Sequence, residues 1–207
     1  MKSLAILGAG GHGRVIADVA TQLGWRAYLF DDAVAPNTVV LDWTVVGGTA
    51  QFMAEASHFE GAIIAIGDNT KRLCLTRKLI EAGGKPATLA HPSATISAYA
   101  SIGPGSVVMP QAVVMTGVRI GCAAIINTAA SVDHDCLLGA GVHISPGARL
   151  CGNVSIADLV WIGAGATVIP SISIGAGAIV GAGSLVARSV GANITVMGNP
   201  ARPRKEN

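Results

Sequence analysis

From Ile96 onward an aliphatic residue recurs at every sixth position: Ile102, Val108, Val114, Ile120, Ile126, Val132, Leu138, Ile144, Leu150, Ile156, Ile162, Val168, Ile174, Val180 and Val186. No slip interrupts the series. An α-helix repeats its apolar face every 3.6 residues and a strand every two, so a strict six fits neither. It fits a parallel β-solenoid in which each hexad lays a short strand on one face and then turns. Three hexads make one triangular coil, so residues 18 apart stack over one another, at roughly 4.8 Å per coil in a prism about 25 Å tall.

The positions around each aliphatic support this reading. Two residues before it stands a mostly small side chain (Ala94, Ala100, Ser106, Ala112, Ala124, Ala130, Ala148, Ala166, Ala178, Ser184), which lets the faces of a narrow prism close. The next position is often glycine (Gly103, Gly121, Gly139, Gly163, Gly175, Gly181), expected to supply the backbone freedom of tight corners. Pro104, Pro110, Pro146 and Pro170 all fall two positions after the aliphatic, where the chain must bend.

Residues 1–90 carry a different pattern. Leu4–Leu7 reads as a strand, Gly8 to Gly13 as a turn, Arg14–Leu23 as a helix and Ala27–Phe30 as a second strand. This is the opening of a Rossmann-like βαβ unit. Gly10, Gly11 and Gly13 with His12 let backbone N–H groups approach a phosphate at a helix N-terminus, and Asp31 and Asp32 stand where ribose hydroxyls are taken. A purely structural glycine turn is the alternative. Only a third apolar run, Ala62–Ile66, and a short fourth near Thr88–Ala90 follow, so a second mononucleotide half for a nicotinamide is missing. Gly67-Asp68-Asn69 with Arg72 forms a second strand-to-helix loop facing the same crevice. The chain therefore divides into an α/β nucleotide-binding domain, 1–90, and a β-helix domain, 91–207.

Composition narrows the function. Hydrophobic residues make up 51% of the chain but aromatics only 4%, with 27 glycines, so the cores are built from Ala, Val, Ile and Leu. The apolar runs are far short of the roughly 20 residues that span a bilayer, and no signal-peptide core follows Lys2, so a cytoplasmic protein with no membrane partner is expected. A net charge of +2 and scattered basic residues, apart from Arg202, Arg204 and Lys205, give no stripe for a nucleic acid. The four cysteines contain no C-x-x-C pair, which argues against zinc ribbons and redox dithiols.

The 18-residue columns place candidate chemistry. Thr116, His134, Gly152 and Pro170 form one column, setting an imidazole at a corner beside a glycine with its backbone N–H free; a general base next to an oxyanion donor is what acyl transfer from a thioester requires. Asp133 and Asp135 flank His134, and either can orient its ring. His143 lies in the column Ile125, His143, Trp161, Ile179, half a coil away, and can meet His134 only across a subunit contact. Asn127, one hexad before Asp133, offers hydrogen bonds to an acceptor group. Neither Cys136 nor Cys151 has the electropositive surroundings of a nucleophilic thiol, which favours direct transfer over a covalent acyl-enzyme.

The hexad pattern resembles the hexapeptide-repeat acyltransferases, whose fold is a left-handed parallel β-helix. The string Asn127-Thr128 through His134-Asp135-Cys136, His143, Gly152-Asn153-Val154 and Gly198-Asn199-Pro200-Ala201 resembles more closely the bacterial nucleotide-sugar N-acetyltransferases, with the sialic acid O-acetyltransferases as relatives. That resemblance implies a homotrimer with acetyl-CoA between adjacent prisms. His134 would be the catalytic base and Asp135 its support, where the family often has Glu. His143 would approach from a neighbouring subunit, with Gly152, Gly163, Gly181 and Pro200 along the acetyl-CoA path. His12, Asp31, Asp32, Gly67 and Asn69 would bind the nucleotide-activated amino sugar. The expected activity is acetylation of the amino group of a nucleotide-linked 4-amino-4,6-dideoxy sugar, without a metal. Rivals are a hydroxyl acceptor, a zinc lyase, for which only two prism histidines stand away from its N-terminal edge, and a non-catalytic nucleotide-binding scaffold.

Overall fold

A computed structural model describes residues 2–204, so Lys205 of the basic tail lies outside the described residues. The chain divides into two compact units, Met1–Pro92 and Ser93–Asn207.

In the first unit β1 (Lys2–Leu7), α1 (Gly11–Gln22) and β2 (Trp25–Phe30) form the expected βαβ opening. Then come β3 (Val39–Val40), β4 (Trp43–Gly47), α2 (Thr49–Glu55), β5 (Gly61–Ile64) and α3 (Asn69–Glu81). The sheet order is β3-β4-β2-β1-β5, parallel except for the β3–β4 hairpin. Leu4 to Leu7 and Ala62 to Ile64 are fully covered, as a parallel sheet with helices on it requires. Phe30 and Phe52 meet edge-to-face at 5.4 Å in the core.

Three features differ from the sequence reading. The helix begins at Gly11, not Arg14, so the last glycines of the turn are its first turn. Gly13 must lack a side chain because a Cβ would run into the Gly8 carbonyl. The hairpin strand β4 carries only one buried aliphatic side chain, Val45, too little pattern to declare itself. The Thr88–Ala90 run yields the two-residue strand Leu89–Ala90, which is not part of this sheet.

The second unit is a left-handed parallel β-helix. Its first face stacks the strands Thr95–Ile96, Val113–Val114, Ser131–Val132, Arg149–Leu150, Thr167–Val168 and Leu185–Val186, each 18 residues after the last. The second face runs from Ser101–Ile102 to Ser173–Ile174, and the third includes Ile125–Ile126, His143–Ile144, Trp161–Ile162 and Ile179–Val180. From Val108 to Val186 every repeated aliphatic is buried. Strand residues one position earlier, such as Arg119, Arg149 and Ser155, point out. At the C-terminal end Thr195–Gly198 pairs parallel to Ile179–Val180, and Ala201–Pro203 folds back antiparallel on it.

The corner chemistry corrects the expectation for glycine. The left-handed conformation falls three positions after the aliphatic, at Gly105, Gly117, Gly141, Gly147, Gly165, Gly177 and Gly183, and equally at Gln111, Asp135, Asn153 and Ser171. The glycines one position after the aliphatic serve packing instead: a Cβ on Gly103 or Gly121 would strike the backbone of the next coil. Proline fits two positions after the aliphatic because that amide carries no coil-to-coil backbone bond. The neighbouring left-handed residue makes the bond, as in Asp135 N–H to Thr116 O and Asn153 N–H to His134 O.

Candidate active site at a prism corner

His134 occupies the corner between the first and second faces. Its backbone N–H donates to Asp133 Oδ1 at 2.8 Å, which fixes the turn. Its ring Nδ1 pairs with Asp135 Oδ2 at 2.9 Å. The left-handed φ of 58° at Asp135 turns that carboxylate back toward its neighbour's ring. Asp135 is thus the residue that orients the imidazole, and Asp133 holds the loop. The Asp135 hydrogen bond raises the His134 pKa above its ordinary value, opposed by slight desolvation and assisted by the Asp133 charge.

With Nδ1 bound to a carboxylate, the neutral ring carries its proton there and presents a bare lone pair at Nε2. That nitrogen lies against Gly152, one coil on, where a Cβ would collide with the ring edge. The Gly152 carbonyl accepts from Ser171 N–H at 3.1 Å, while its own amide donates to no group among the described residues. The exposed imidazole therefore lies over the buried Gly152, whose amide has no protein acceptor among the described residues.

His143 lies on the third face, opposite that corner. Its ring stacks on Trp161 with centroids 6.2 Å apart and planes 6° from parallel. Asn127 Oδ1 accepts the Thr128 N–H at 2.8 Å, so its amide nitrogen is the end that faces His143 Nε2 at 3.1 Å. His143 Nε2 is then an acceptor and Nδ1 the protonated nitrogen. Asn127 thus serves His143 and its own turn. Gly163 and Gly181, two coils of one column, follow the third-face strands, and a Cβ on Gly163 would strike Gly181 backbone. Pro200 follows a cis bond from Asn199 in the terminal hairpin. Within one chain, then, His134 and Gly152 come together, while His143, Asn127, Gly163 and Gly181 gather away from them.

The Cys136 thiol is buried inside the prism, donates to Cys151 O at 3.2 Å, and is pushed above its ordinary pKa by burial. It has neither the exposure nor the thiolate character of a nucleophile.

In the first unit, Gly10 caps α1 with no side-chain hydrogen bond, and a Cβ on Gly10 or Gly11 would meet nothing. The helix N-terminus is open. Asp31 is engaged by its own fold: Oδ2 accepts Ala9 N–H at 2.7 Å and Oδ1 accepts Ala33 N–H at 2.8 Å. Asp32 accepts the Thr49 N–H at 2.7 Å and the Thr49 hydroxyl at 2.6 Å, starting α2, and those bonds lower its pKa. Asp68 caps α3 through Lys71 N–H at 2.7 Å. Arg72 is buried, with its guanidinium donating to Ile66 O and Gly67 O at 3.0 Å and Asn69 Oδ1 at 2.7 Å. Gly67 and Asn69 therefore hold Arg72. His12 Nε2 is buried with no partner among the described residues, and burial followed by the Arg72 charge lowers its pKa to about 4. What sequence reasoning undervalued was the Arg72 clamp; its signal was an Arg three residues after Asn69, one helical turn on.

Among the described residues no helix is long and apolar enough to cross a membrane, and no group of three or more His, Cys, Asp or Glu side chains is placed to hold a metal ion.

Known proteins resemble this chain in sequence and fold. Residues 3–79 match the family model of the PglD N-terminal domain, and residues 153–188 match the bacterial transferase hexapeptide model. The acetyltransferase domain of PglB from Neisseria gonorrhoeae, solved with acetyl coenzyme A, is 41% identical over 98% of this chain and 99% of that one, with a TM-score of 0.94. A histidine-to-asparagine mutant of perosamine N-acetyltransferase from Caulobacter crescentus, solved with CoA and GDP-perosamine, is 35% identical over 100% and 98%, with a TM-score of 0.95. WeeI from Acinetobacter baumannii is 29% identical over 99% and 100%, with a TM-score of 0.90. None of the curated protein sequences matches.

Proposed function

Since the chain belongs to the hexapeptide-repeat sugar acetyltransferases, which use acetyl-CoA, we propose that it acetylates the amino group of a nucleotide-linked 4-amino-4,6-dideoxy sugar with His134 as general base. The observation that carries the base assignment is the pairing of His134 Nδ1 with Asp135 while Nε2 lies bare against Gly152.

Acetyl-CoA supplies the activated thioester. His134 Nε2 accepts the proton of the attacking amine, Asp135 stabilises the imidazolium, and the Gly152 N–H meets the charge on the carbonyl oxygen. The protonated ring then returns its proton to the departing thiolate. A homotrimer completes the site: His134 stands at the corner opposite the face that bears His143, so two copies are needed to bring the two together, and the partner subunit's His143 faces the thioester. Gly163, Gly181 and Pro200 lie on the same path.

The open N-terminus of α1, with Gly10, Gly11 and Gly13, takes the diphosphate, assisted by the Arg72 charge. His12 adds a neutral hydrogen-bonding ring, and Asp31, Asp32, Gly67 and Asn69 shape the pocket while holding its walls. GDP-perosamine in the Caulobacter relative supports a nucleotide-linked amino sugar over sialic acid or another hydroxyl acceptor.

The test is CoA release with a panel of UDP-, GDP- and dTDP-linked 4-amino sugars, alongside sialic acid and serine. Turnover is expected with an amino sugar, falling by about 10²–10⁴ in His134→Ala. Preference for a hydroxyl acceptor overturns the substrate assignment, and a near-normal rate in His134→Ala overturns the base.

A further inference from the structure

The outward position of the third face repeats every 18 residues as Ile125, His143, Trp161 and Ile179. In-register parallel strands lie roughly 4.8 Å apart, so a ring on one coil can rest on the ring of the next. Trp161 rests on His143 in this way, with centroids 6.2 Å apart and planes 6° from parallel, which is offset stacking.

A second regularity shows that the stack is built. His143 reaches back 16 residues, to the side chain two positions along the preceding coil, where its Nε2 meets the Asn127 amide at 3.1 Å. Trp161 makes the same diagonal step one coil later. Its indole N–H donates to Ser145 Oγ, also 16 residues back, at 2.8 Å. The indole has a donor and no acceptor, so this bond runs in one sense. Ser145 is buried and Trp161 is 46% exposed, so the hydroxyl is a fixed point to which a surface ring is tied. Equivalent tethers at equivalent positions leave the two ring planes parallel.

For His143 the two contacts are complementary. The Asn127 amide fixes one ring atom, about which the imidazole could still swing. The indole fixes the plane. Together they define which way Nδ1, the nitrogen that carries the proton, is directed. We propose that Trp161 is the positioning residue of His143: stacked on the imidazole and tied to Ser145, it holds the ring in one tautomer and one orientation toward the acyl donor. Its effect passes through His143, and the proposal rests on reading His143 as the group that faces the thioester from a neighbouring subunit.

The experiment labels the histidines of the full-length protein with nitrogen-15 and reads the His143 ring nitrogens, assigned by their absence in His143→Ala, at a pH where the ring is neutral. The wild type is expected to show a proton-bearing shift at Nδ1 and a bare-nitrogen shift at Nε2. In Trp161→Leu the two shifts should converge as tautomers and orientations average. Trp161→Phe, which keeps a stacked ring without the Ser145 bond, should fall between. Calorimetry with acetyl-CoA separates positioning from direct contact. Trp161→Leu should weaken binding by about tenfold in the wild-type background, the upper range for an aromatic pair, and by under about twofold in His143→Ala. Unchanged nitrogen shifts in Trp161→Leu, or the same loss of affinity in both backgrounds, overturns the proposal. Failure of the underlying reading of His143 looks different: His143→Ala binds acetyl-CoA as tightly as the wild type, while the nitrogen shifts still report whether Trp161 holds the ring.

Discussion

His134 is poised by one contact, and its pH dependence follows. The Asp135 carboxylate favours the imidazolium, so the folded pKa lies above 6.5 and the neutral, proton-accepting ring accumulates only as pH rises through that raised value. In Asp135→Asn the acid limb of the kcat/KM profile should move to lower pH, with the plateau reduced about tenfold or more because the ring loses its orientation; an unmoved limb would detach the limb from this histidine. Gly152→Ala should leave Tm within a degree or two yet cut the rate by about 10²-fold, since the new methyl displaces the ring that must bear the lone pair. His12 works in the opposite sense. Its folded pKa of about 4 lies below the unfolded 6.5, so the unfolded chain binds the proton first and stability falls as pH drops through that window. Between pH 7.5 and about pH 5 that amounts to about 2 kcal/mol, which urea unfolding should register in the wild type and not in His12→Gln.

At the scale of a coil, the corner has one amide with no backbone partner and the strands have none to spare. Ala164 shares a column with Pro146, so Ala164→Pro should be neutral or stabilising by up to about 1 kcal/mol. Thr167→Pro removes the donor to Ser184 O and should cost about 3 kcal/mol, both readable from denaturant midpoints. This regularity is why the β-helix was legible: each hexad repeats one local solution, and the aliphatic column reports it without knowledge of long-range contacts. The column also gave the His134–Gly152 neighbourhood, because stacking is fixed by counting. The α/β unit was legible where burial on both sheet sides leaves an apolar run, as in β1 and β5, and where the glycine turn announces α1 and the strand β2 that follows it. The hairpin strand β4 half-buries most of its side chains and fully buries one aliphatic, Val45, which leaves no apolar run. The carboxylates of Asp31 and Asp32 end on Ala9 and Thr49, partners about 20 residues away that no spacing rule picks out. The glycines after each aliphatic misled because the same residue answers two needs, a positive φ and a missing Cβ, and the sequence does not say which.

Over the whole molecule, the separation of His134 and His143 onto an edge and its opposite face makes the proposed enzyme a shared device. Sedimentation should give about three times 20.8 kDa. His134→Ala and His143→Ala preparations, each inactive, should regain about a quarter of wild-type activity when denatured and refolded together, since one subunit pair in four then unites the two intact histidines. No recovery would mean that each chain works alone. The terminal hairpin has a different whole-molecule consequence. A stack of parallel rungs has an unfinished end, and its bare backbone would accept the first rung of another molecule as readily as it accepts its own. By reversing direction at Ala201–Pro203, with a proline on the last strand, the chain leaves on that face an edge of the wrong polarity for the next rung. The repeat thereby stays a particle of fixed length instead of becoming the seed of a filament.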